Sequence, residues 1–157
     1  MPIKMSAMAR NPAAGETREN PRLTRLSRLC LALPETQRAV RGDHADFRVR
    51  GMVFAYFLDD HHGDGIVSVC CKSQLGEHLD RARREPQRFY LPAYIGARGW
   101  FGLRLDRGAI NWKEVENIVG LSYRLVAPKT LLRILDAPAP PATRRSRVVK
   151  PRPEHAA

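Results

Sequence analysis

The feature that most limits the fold of this chain is a change of hydrophobic period between residues 47 and 71. Phe47-Arg48-Val49-Arg50 alternates apolar and basic side chains, Gly51 interrupts, and Met52 to Leu58 is a continuous apolar and aromatic run. Asp59-Asp60-His61-His62-Gly63-Asp64-Gly65 is rich in turn formers, and Ile66 to Cys71 returns to β-branched residues. Alternation with period two is the strand signal, and connections this short join only antiparallel neighbours. A shorter strand is expected near Gln37 to Arg41. Such a meander has one apolar face to bury, and other elements must cover it.

Helical spacing supplies the cover. Asn20-Pro21 is a helix start, because Asn accepts a backbone N–H and Pro suits the first helical position. Leu23, Leu26, Cys30 and Leu33 then recur at helical spacing, predicting a helix over 21–33 that Pro34 closes. Ser73 heads a second predicted helix with Leu75, Leu79 and Ala82 on its apolar face and His78 on its solvated side; Glu85-Pro86 ends it. Gly99 to Leu105 alternates, with Phe101, Leu103 and Leu105 toward the core and Trp100, Gly102 and Arg104 toward the other side. Asn111 and Glu114 begin a third helix whose apolar face is Val115, Ile118, Val119, Ser122 and Leu125. Pro128 heads a last short helix with Leu131, Leu132 and Leu135. The expected fold is α+β: a two-layer domain over residues 21–137, with an antiparallel β-sheet and helices packed on one face.

Composition narrows the class. The chain has 157 residues, 43% hydrophobic and 27% charged, and 27 basic residues against 16 acids give a formal charge of +11. No apolar run approaches the ~18 residues of a membrane span, and the first residues contain no apolar signal core. Three cysteines make no disulfide framework, which fits a reducing, cytoplasmic setting. Residues 1–20 and 138–157 read as disordered tails, the second basic and rich in proline. More than half of the positive excess lies outside residues 23–136. The basic tail suits either loose polyanion contact or simple solvation.

No G-x-S-x-G, Walker A, G-x-G-x-x-G or H-E-x-x-H string occurs, so no enzyme, cofactor or metal site is expected. The Asp59 to Asp64 segment carries metal-ligand chemistry but matches neither an EF-hand nor a zinc spacing, and its residues are those of a turn. Cys70 and Cys71, adjacent in a strand, point to opposite faces. One is expected in the core and the other toward the more exposed side.

Arg48, Arg50, Trp100 and Arg104 each fall opposite the apolar side chains of their own strand. If those strands share a sheet, its exposed face carries three guanidinium groups and an indole. Arginine pairs with phosphate, and an aromatic ring stacks on a base. The same face could equally be plain solvated surface or a protein contact.

Several strings together resemble the MmcQ/YjbR family of small bacterial proteins. They are Leu31-Ala32-Leu33-Pro34-Glu35, Phe47-Arg48-Val49-Arg50-Gly51-Met52-Val53-Phe54-Ala55, Tyr94-Ile95-Gly96 to Arg98-Gly99-Trp100, and Ser122-Tyr123-Arg124-Leu125-Val126-Ala127-Pro128-Lys129. The likeness covers roughly residues 23 to 136, and the last string is its most specific part. It implies a fold similar to bacterial frataxin, with the double-wing motif described as DNA-binding, and it brings no catalytic set. Arg48, Gly51, Gly99, Trp100, Tyr123, Arg124, Pro128 and Lys129 fall on its recurring positions. Iron delivery would need exposed acids on the first helix, which instead carries Arg22, Arg25 and Arg28.

The functional expectation is a small non-enzymatic protein that binds DNA with little sequence preference. Arg48, Arg50, Arg98 and Arg104 would meet phosphates and Trp100 would stack. Arg124 and Lys129 would contact phosphate or helix-end carbonyls, and Arg144, Arg145, Arg147 and Lys150 would extend the reach. The rival expectation is a protein-interaction adaptor with no nucleic-acid role.

Overall fold

A computed structural model describes residues 18–138. Of the tails expected at 1–20 and 138–157, residues 1–17 and 139–157 lie outside the described residues. Helix α1 (Pro21–Leu31) begins as its sequence dictates, with the Asn20 side chain accepting from the Arg22 N–H at 3.0 Å. It stops two residues earlier than the spacing predicts. Thr36 Oγ1 donates to the carbonyls of Cys30 (2.9 Å) and Leu33 (3.0 Å), taking up acceptors that the helix end leaves open.

Strands β1 (Thr36–Arg41), β2 (His44–Val49), β3 (Met52–Asp59) and β4 (Val67–Lys72) form the expected meander. Helix α2 (Glu77–Arg84), the two-residue β5 (Phe89–Tyr90) and β6 (Trp100–Arg104) follow, then α3 (Trp112–Val126) and α4 (Lys129–Asp136). The sheet has six strands in the order β1-β2-β3-β4-β6-β5, and every pair is antiparallel. The β2–β3 hairpin turns on Arg50 (φ 48°) and Gly51 (φ 78°), both left-handed as a tight two-residue turn requires.

Register divides the sheet into two unlike faces. Ala45, Phe57, Val69, Leu103 and Phe89 form one row across the inner face, and Phe47, Ala55, Cys71 and Phe101 form the next. All are buried. Helix α3 lays Val115, Ile118, Val119 and Tyr123 over them, and α1 adds Leu23, Leu26 and Cys30. Ser122, on the same stripe, donates to the Phe54 carbonyl (2.6 Å) and accepts from the Lys72 N–H (2.8 Å), pinning α3 to two strands. Tyr123 meets Phe54 edge to face at 5.5 Å, and its hydroxyl donates to the Pro34 carbonyl at 2.8 Å, tying α3 to the end of α1. The α+β architecture with helices on one face is as expected.

Helix α2 departs from its prediction. It starts at Glu77 after Gly76 (φ 100°), because the Ser73 hydroxyl donates to the Gly99 carbonyl (3.2 Å) instead of capping a helix. His78 is only 4% exposed, while Leu75 is 78% exposed and Leu79 also faces outward. The helix turns inward on His78 and Arg81. The Arg81 guanidinium sits 4.8 Å from the Phe101 ring and 5.8 Å from that of Phe89, and the His78 Nδ1 accepts from the Gly76 N–H.

The outer face is partly roofed. Tyr90 lies over Gly102, where any Cβ would collide with its ring, and its hydroxyl bonds Ser68 Oγ at 2.7 Å. Cys70 points to this face yet is fully buried, with its Sγ 3.7 Å from the Tyr90 hydroxyl, which corrects the expectation of a more exposed cysteine. Burial pushes its thiol up to about 11. All three cysteines are free and buried.

Candidate nucleic-acid interface

Each sequence-predicted residue has a definite place. Arg48 lies on the outer face of β2, where its Nε and Nη2 bond the Asp46 carboxylate at 2.8 and 3.3 Å. Arg104 on β6 makes the same two-point contact with Asp106, at 3.0 and 2.8 Å. That hydrogen bond holds the Asp106 carboxyl below its ordinary value. Arg50 is a hairpin-tip residue rather than a sheet-face residue, and it pairs with Glu35. Arg124 reaches from α3 to the Asp136 carboxylate of α4, at 3.1 and 2.5 Å. Four of the seven side chains thus have a carboxylate already in place.

Trp100 points to the outer face as alternation requires, but its exposure is a correction. The residue is 8% exposed, with its ring 5.2 Å from that of Tyr56, so the indole is a packing element rather than a platform for a base. Arg98, in the short turn before β6, and Lys129, at the head of α4, are exposed and enter no ion pair among the described residues.

The set does not converge. Arg48 and Arg104 share a face, but β3 and β4 lie between their strands, and their register positions on β3, Val53 and Leu58, are five residues apart; at ~4.8 Å per strand and ~3.3 Å per residue this puts them roughly 20 Å apart. Arg124 and Lys129 belong to the helical layer. The Asp59 to Gly65 segment is a built turn: Asp60 (φ 52°) accepts from the Gly65 N–H at 2.7 Å and Asp64 from the Ile66 N–H at 2.9 Å.

A basic surface that the site reasoning missed lies on α1. Its buried side chains are Leu23, Leu26, Ser27 and Cys30, so Arg22, Arg25 and Arg28 occupy the opposite side of the helix. Arg25 and Arg28 are exposed, and Arg22 is partly so. None of the three enters an ion pair among the described residues. Arg25 lies 4.8 Å from the Trp112 ring, which orders its stem without neutralising its charge. Glu19, the nearest acid in sequence, is engaged by Arg38 and Thr24, both at 2.7 Å. The signal was visible as an arginine every third residue in a helix without acids.

A second unpaired surface is apolar. Leu75 and Leu79 stand beside Leu91 and Tyr94 (87% exposed) around an open groove of about 520 Å³. No helix among the described residues is long and apolar enough to cross a membrane.

Comparison with known proteins bears on the fold. A crystal structure of Deinococcus radiodurans protein DR2400, with a domain described as DUF419, is similar at a TM-score of 0.57 and 19% identity, covering 74% of this chain and 88% of that one. No curated protein matches the chain. A family model described as YjbR matches residues 31–125, taking in every strand and most of α3. On that match the chain belongs to the YjbR family.

Proposed function

We propose that this protein is a small non-enzymatic DNA-binding protein, acting in the cytoplasm, that holds duplex with little sequence preference. The observation that carries the reading is the arginine face of α1, which enters no ion pair among the described residues. Residues three apart on a helix stand about 5–6 Å apart at Cβ, and each strand of duplex offers one charge per ~3.4 Å, so three such arginines can follow one phosphate backbone. Lys129, Arg98 and the basic residues Arg144, Arg145, Arg147 and Lys150 add further phosphate contacts. Nothing in this arrangement reads base edges, hence the lack of preference.

The groove at Leu75, Leu79, Leu91 and Tyr94 favours a second reading, an adaptor that docks a protein partner through apolar contact. Fluorescence anisotropy of a labelled duplex with the full chain separates the two. Under the DNA reading the logarithm of affinity falls linearly with the logarithm of salt between about 50 and about 200 mM. Absence of binding at the lowest salt would discard the DNA reading and leave the adaptor.

A further inference from the structure

Between α2 and α3, above the end of the sheet, lies a cavity of about 260 Å³. Phe101, Ile118, Leu121 and Leu125 supply its apolar walls, and Arg81, Arg124 and Glu77 border it. The two arginines are in different states. Arg124 is held by Asp136, whereas Arg81 enters no ion pair among the described residues, and its Nε is sealed from solvent without an acceptor. The Phe101 and Phe89 rings explain how a cation tolerates this position, but rings do not satisfy the directional donors of a guanidinium.

We propose that this cavity binds a small organic anion, a carboxylate carried on an apolar body. The carboxylate would lie on the two Nη groups of Arg81, which are not sealed as Nε is and whose planar fork matches it, and the body against Ile118, Leu121 and Leu125. The volume falls just below the usual range for small-molecule pockets, which restricts the body to about one ring or a short branched chain. The inference is independent of the DNA reading, because Arg22, Arg25 and Arg28 line no part of this cavity.

Benzoate is a suitable probe and benzamide its neutral counterpart, each titrated into the ¹⁵N-labelled full chain and followed by amide shifts. Benzoate should give saturable shifts centred on Arg81, Leu121 and Leu125, with benzamide at least about tenfold weaker. Arg81→Met keeps the stem over Phe101 and should lose benzoate binding by a similar factor. If that variant fails to fold, Leu125→Glu, at a partly exposed wall position, tests the same point by placing a second negative charge at the site. Equal binding of benzoate and benzamide, shifts centred elsewhere, unchanged affinity in the folded variant, or no saturable response would overturn the proposal.

Discussion

On the outer face of the sheet, Arg48 and Arg104 are each answered by a carboxylate two residues away, Asp46 and Asp106. On α1, Arg22, Arg25 and Arg28 follow one another with no acid in the helix. The contrast comes from periodicity. Residues i and i+2 of a strand share a face, so an Asp-x-Arg or Arg-x-Asp string neutralises itself as soon as the strand forms. In a helix the partners sit three or four positions away, and α1 offers no acid there, only arginine, Thr24 and apolar side chains. A formal charge of +11 therefore says little about where a polyanion would bind. The local company of each arginine decides it.

The sharpest way to break this comparison is Trp100→Ala. The indole is buried against Tyr56, so its removal should cost about 3–5 kcal/mol of stability, read from a urea unfolding curve. Duplex affinity of the fraction still folded should stay unchanged. A variant that remains folded yet loses DNA would return the site to the sheet face. The next effect belongs to α1. Replacing Arg22, Arg25 and Arg28 together with Gln should flatten the log–log salt slope by about three, one per lost phosphate contact. Unfolding midpoints should fall only by what the Arg25–Trp112 contact contributes, about 0.5–1 kcal/mol, since the three side chains make no ion pair among the described residues. An unaltered slope would leave Arg98, Lys129 and the basic segment after residue 138 as the source of any DNA affinity.

Most of the sheet was legible because its signals are local: alternation at 47–49 and 99–105, turn formers at 59–65, and the break at Gly51; the place of Arg50 at the hairpin tip and the two-residue β5 were not. Helix α2 was not, because the Leu75, Leu79 and Ala82 spacing competes with contacts no sequence window contains. The aromatic faces of Phe89 and Phe101, brought together by the β5–β6 pairing, draw Arg81 inward and rotate the leucines out. Trp100 fails as an exposed residue for a similar reason. Alternation gives its direction correctly, but the Tyr56 ring beside it comes from two strands away. The two i, i+2 pairs, Asp46 with Arg48 inside β2 and Arg104 with Asp106 in the bend just past β6, were readable from spacing alone. An acid at i±2 marks Arg48 and Arg104 as neutralised, and its absence marks the α1 arginines as the charged face.

A smaller effect concerns the Arg104–Asp106 pair itself. The Arg104 hydrogen bond lowers the Asp106 carboxyl below its ordinary 3.8. A carboxylate whose native value is depressed stabilises the fold above its ordinary value, and that contribution disappears as pH falls through the native one. Asp106→Asn should therefore cost about 1 kcal/mol near neutrality, because the pair is only partly buried, and the difference from the parent should vanish in acid. A difference that persists below about pH 2 would mean that the aspartate acts through shape rather than charge.

The smallest effect tests whether pairing is what silences the sheet face. Asp46→Asn with Asp106→Asn leaves both arginines in place and removes the carboxylates that hold them. If geometry as well as neutralisation keeps this face out of the DNA contact, duplex affinity at low salt should rise by less than about twofold. Two arginines roughly 20 Å apart on strands β2 and β6 cannot follow adjacent phosphates of one backbone. A rise of about tenfold or more, abolished by adding Arg48→Gln and Arg104→Gln, would mean that the carboxylates alone mask a competent surface. The sheet and α1 would then differ in the company their arginines keep and not in what they can bind.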